Sequence, residues 1–172
     1  MSNVVYLMCS LPSLTFGQFP PISFDEFLQD AKKQLSVKSC NRLEAVDIKE
    51  AAAEMAKGEL KAFIGMLGDV QEDLYEIRKA KAQNRNANLV SLPKAILDKN
   101  PLEREKLIMQ WQWEELDAIE SGETFTLTEV LVYKLKLQIL CRLHSFNFER
   151  GSMVLASVIN PSKIDEEEPW QS

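Results

Sequence analysis

A chain of 172 residues is the size of one domain that buries roughly 70% of the surface its unfolded form exposes, so no disulfide or metal staple is required. The net charge of -6, with four acids and one lysine falling after Pro161, argues against nucleic acid as a partner, since phosphate binding calls for a net basic face. No run of 18 apolar residues occurs and the start lacks the basic and apolar regions of an export signal, so a cytoplasmic protein without membrane anchor is expected. Cys9, Cys40 and Cys141, odd in number and widely spaced, read as free, partly buried thiols in a reducing compartment.

In chain order, Val4 to Met8 form a short apolar run ending at Leu11-Pro12, taken as a helix because no other segment offers a strand partner. Ser13 to Pro21 is a loop, with Leu14, Phe16 and Phe19 pinning it to the body. Ser23 with Glu26 makes a capping box for an amphipathic helix through Phe27, Ala31 and Leu35. Ser36 caps a further short helix through Cys40 and Leu43, and Asp47 can begin another turn across the alanines at 51 to 53.

From Gly58, Leu60, Phe63, Ile64, Leu67, Val70, Leu74 and Ile77 recur at helical spacing. Gly65 and Gly68 inside that pattern predict a kink or a close helix crossing. The acids Glu59, Asp69, Glu72, Asp73 and Glu76 precede a basic end of Arg78, Lys79, Lys81 and Arg85, an order that suits the helix dipole.

Asn84 to Asn88 marks a loop, and Ser91 with Pro93 starts a short helix ending near Asp98. Asn100-Pro101 opens a long helix with Leu102, Met109, Trp113 and Leu116 on one stripe. Trp111 and Trp113, two apart, point roughly 200 degrees from each other, which places one of them near a surface or a second interface.

The stretch from Glu123 to Arg142 predicts the helix on which the rest packs. Thr126 serves as N-cap, Glu129 completes a capping box and Phe125 staples onto Val130. Beyond the cap the residues are apolar on nearly every face, leaving a narrow polar strip of Lys134, Gln138 and Arg142. Ser145 to Asn147 reads as a break, Phe148 to Ile159 as a last helix, and the acidic tail as disordered. The expected fold is all-α: a single helical domain of six to eight helices over residues 1–160, followed by a tail over 161–172.

NPLEREKLIMQWQWEELD at 100 to 117, followed by FTLTEVLVYKLKLQILCR at 125 to 142, resembles the C (or d) subunits of V-type rotary ATPases, in which a Phe or Tyr opens a helix that runs through an apolar segment with an internal Tyr to a charged end. YLMCSLPSLTFGQFPPIS at 6 to 23 is similar to a small bacterial family associated with V-type ATPase operons. The resemblance implies C/d-like helical lobes and a non-catalytic subunit that seats the central shaft on the membrane rotor ring, with membrane association only through those partner subunits.

The residues themselves point to no chemistry. His144 is the only histidine, with Cys141 alone nearby at ligand spacing, and it reads as a helix C-terminal histidine facing the dipole. No glycine-rich phosphate loop and no nucleophile motif occurs, so neither catalysis nor a cofactor nor a metal is expected. The most site-like feature is the basic group Arg78, Lys79, Lys81 and Arg85, as a docking patch for an acidic partner surface. The alternative function is a free-standing cytoplasmic helical adaptor or assembly factor that binds one protein partner. A small-ligand-binding bundle is a third, which would require an apolar cavity, lined by the tryptophans, with a few convergent polar groups.

Overall fold

A helix leaves its first N–H groups without partners inside the helix, and this chain supplies a side-chain oxygen at most of its helix starts. In a computed structural model describing residues 3–49 and 58–159 (backbone only for Glu59 and 147–159), Asn3 Oδ1 accepts from Tyr6 N to open α1 (Val4–Ser10). Ser23 and Glu26 form the reciprocal capping box of α2 (Phe24–Gln34), and Ser36 opens α3 (Val37–Ala45) by accepting from Ser39 N. After a 3-10 turn at Gly58–Leu60 comes α4 (Lys61–Ala82), the one long helix opening with no side-chain cap bond. A second 3-10 turn (Lys94–Asp98) leads to α5 (Pro101–Glu120), where Asn100 accepts from Glu103 N and Pro101 fills the first helical position. The last element is α6 (Leu127–Ile159). The described residues contain no strand, and the fold is a single all-α arrangement of six α-helices.

The centre is α6. Val130, Leu131, Val132, Leu135, Leu137 and Leu140 are fully buried, because α1, α2, α3 and α5 all pack against the helix. Lys136 pairs with Asp117 and Glu120, whereas Arg142, later in α6, pairs with Glu105, earlier in α5. That reversed order makes α5 and α6 an antiparallel hairpin, closed by the turn at 121–126. α4 packs on α5 at the far side.

The loop after α1 is pinned to the core at Leu14 and Phe16, whereas Phe19, expected to pin it too, is 67% exposed. Phe16 meets the edge of Trp113 at 5.5 Å between centroids, and Tyr133 Oη donates to Pro12 O at 2.9 Å. Burial pushes the Tyr133 phenol up to about 12. Trp113 is buried and Trp111 half-buried, as two opposed positions on one helix require.

Four other expectations change. α6 runs unbroken through 145–147: Ser145 Oγ donates to the Arg142 carbonyl one turn back, so its side chain is satisfied within the helix instead of ending it. A methyl group added at Gly65 or Gly68 would meet nothing within 4 Å, so neither marks a close helix crossing. Cys9 is exposed; only Cys40 and Cys141 are partly buried. Phe125 is 46% exposed and sits at φ +55°, a backbone region unfavourable to a bulky residue, with its N–H held by the Glu129 carboxylate. The turn expected across the alanines and the acidic tail lie outside the described residues.

Candidate functional site

The basic end of α4 is shaped by how the helix stops. Asn84 takes φ +49°, which asparagine tolerates, and the N–H groups of Asn84 and Arg85 turn back to the carbonyls of Lys81 and Ala80. This Schellman ending separates the four cations into two kinds. Arg78, Lys79 and Lys81 stay on the helix, exposed, with no side-chain hydrogen bond or ion pair among the described residues. Arg85 lies past the turn and folds back, giving both Nη groups to the Glu76 carboxylate and its Nε to Gln83. Its charge is committed to the fold.

Glu76 belongs to a clasp that the sequence does not reveal. The Arg85 side chain, then the Asn88 N–H, hold its carboxyl down at about 2. One turn earlier Asp73, only 3% exposed, accepts from the backbone N–H groups of Val90, Ser91 and Leu92 at 2.7 to 2.9 Å. Burial pushes the Asp73 carboxyl up, but the N–H groups of Leu92, Val90 and Ser91 outweigh it and leave it below the ordinary carboxylate value. Two acids placed in the sequence only by the helix dipole thus strap residues 85–92 across the helix.

Of the polar strip of α6, Arg142 is exposed, but Lys134 and Gln138 are turned to the protein. Lys134, 4% exposed, donates to the carbonyls of Leu43 and Val46 at 2.7 and 2.6 Å, closing the C-terminal end of α3 where a cation suits the dipole. Burial lowers its pKa, opposed by Asp47 and Glu44. Gln138 accepts from Ile48 N and donates to Asp47 Oδ2. Lys136 is buried over the Trp113 ring beside Asp117 and Glu120.

His144 does not stand at a helix end, since α6 continues; its ring packs on Phe19 at 3.9 Å between centroids. Burial raises the Cys141 thiol. Among the described residues no group of three or more His, Cys, Asp or Glu could hold a metal ion, and no helix is long and apolar enough to cross a membrane.

Beside these features a cleft of about 840 Å³ opens between α4, α5 and α6. Leu67, Val70 and Leu74 line one wall, Ile108 and Ile139 the other. Neither tryptophan lines it.

Buried-helix core, exposed cationic helix end and apolar cleft together describe an all-α protein. The chain belongs to DUF2764, a family of proteins of unknown function, which it matches over residues 74–166. The match takes in the second half of α4, the strap and the whole α5–α6 hairpin. No curated protein and no solved structure matches the chain.

Proposed function

We propose that the chain is a non-catalytic, C/d-like subunit of a V-type rotary ATPase, acting in the cytoplasm between the central shaft and the membrane rotor ring and reaching the membrane only through them. The observation that carries this is the place of the resembling stretches: 100–117 and 125–142 form the two arms of one hairpin, α5 and α6, at the centre of the fold. Arg78, Lys79 and Lys81 are the surface that an acidic partner subunit meets, contributing orientation and association rate more than affinity. The same three cations would serve a free-standing adaptor equally well.

Affinity capture of the tagged full chain from its own cells in mild detergent separates the two. The rotary reading expects catalytic, shaft and rotor-ring subunits to be recovered together. Capture without them, from cells that express the ATPase, rejects it in favour of the adaptor. Arg78→Glu, Lys79→Glu and Lys81→Glu in one chain should reduce recovery and leave Tm unchanged, since all three are exposed. Undiminished recovery would remove the patch from the interface.

A further inference from the structure

Among the polar side chains that line the cleft between α4, α5 and α6, Gln112 is the buried one that the fold leaves without a partner, Lys49 and Gln71 being exposed. Gln112 is 8% exposed and lines the cleft, yet its carboxamide makes no hydrogen bond among the described residues. Every fully buried side-chain nitrogen or oxygen among those residues does have a partner. The Gln112 amide atoms are therefore still accessible, and they face the cleft.

Apart from the exposed Lys49, the charges around the cleft are already committed. Arg142 is paired with Glu105, Asp47 holds the Gln138 amide, and Arg104 gives Nε and Nη2 to the carbonyls of Ile96 and Leu97. A charged ligand would find its only free counter-charge at the exposed Lys49 and none against the apolar walls, where an unpaired ion is costly. A carboxamide offers one acceptor and two donors, so it matches a carbonyl, an amide or a hydroxyl. The volume falls within the range of small-molecule sites and far exceeds a packing defect.

We propose that this cleft binds an uncharged, mostly apolar small molecule carrying one carbonyl, amide or hydroxyl group, which hydrogen-bonds to Gln112. The site stands whether or not the chain joins a rotary ATPase.

The test is a fluorescence titration of the full chain with Nile red, a neutral dye with a ring carbonyl, alongside diphenylhexatriene, a hydrocarbon probe. Both should bind the wild type saturably at one site. Val70→Trp fills the cleft and should weaken both by more than tenfold. Should that variant lose its fold, Leu74→Trp, at a half-buried position on the same wall, replaces it. Gln112→Met keeps the length of the side chain and should weaken Nile red about tenfold, the worth of one hydrogen bond, while leaving diphenylhexatriene unaffected. The proposal is overturned by a wild type that binds neither probe saturably, by a filled cleft that binds as the wild type does, or by Nile red affinity that ignores Gln112→Met.

Discussion

α4 and α6 both use charged side chains to hold another segment by its backbone, but with opposite sign. Lys134 of α6 gives its protons to the carbonyls that end α3; Asp73 of α4 accepts from three successive N–H groups of the strap. The sign of each ion follows the polarity of the backbone it serves. Lys134 works inside the core, next to Gln138, which holds the same segment a second time through Ile48 and Asp47. Asp73, buried to the same degree, alone serves the N–H groups of 90 to 92. The α3 attachment is shared between two residues, and the end of the strap hangs on one.

That contrast is most sharply tested at Asp73. Asp73→Ala leaves three N–H groups without their acceptor and should lower stability by about 3 kcal/mol in urea unfolding, with amide protection at 90–92 falling below that of α6. A loss under about 0.5 kcal/mol, the range of ordinary surface substitutions, would mean the strap does not depend on it. Lys134→Met should cost less, about 2 kcal/mol, because the uncapped carbonyls are partly offset by removing a buried ammonium and Gln138 still holds the segment. A larger loss than in Asp73→Ala would reverse the comparison.

Acid separates the two attachments more gently. Asp73 and Glu76 have folded pKa values below their ordinary ones, so the stability they add is present above about pH 4.5 and is lost as pH falls through the folded values toward 2. Lys134 stays protonated across that range. Amide shifts of Ser91 and Leu92, followed by NMR from pH 6 to 2, should therefore move with a midpoint under the ordinary aspartate value. A midpoint at 4 or higher would show that the carboxylate is not held by those N–H groups.

Local signals carried most of the fold. The Ser23 box, the Asn100-Pro101 start and the Thr126 cap are each seen where side chain and backbone lie within one turn. The break expected at 145–147 failed because Ser145 can satisfy itself inside the helix, which composition does not reveal. The candidate site was less legible. Charge at Asp73, Lys134 and Lys136 is visible in the sequence, but the backbone or acid that each one meets lies 16 to 91 residues away. Gln112 sits among apolar neighbours on the covered face of α5, and only the packing of three helices shows that a space lies in front of it.

The span of these contacts also has a consequence for the order of events at the ribosome. Lys134 and Gln138 reach back 88 to 91 residues to the end of α3, and Tyr133 reaches back 121 to Pro12. α1 to α3 thus emerge before the helix they dock on has been made. At about 5–20 residues per second they wait on the order of 5–18 s, with Phe27 and Leu43 uncovered, until α6 arrives. Maturation of this all-helical domain is paced by synthesis of its C-terminal half, and the exposed interval is when a chaperone would engage it.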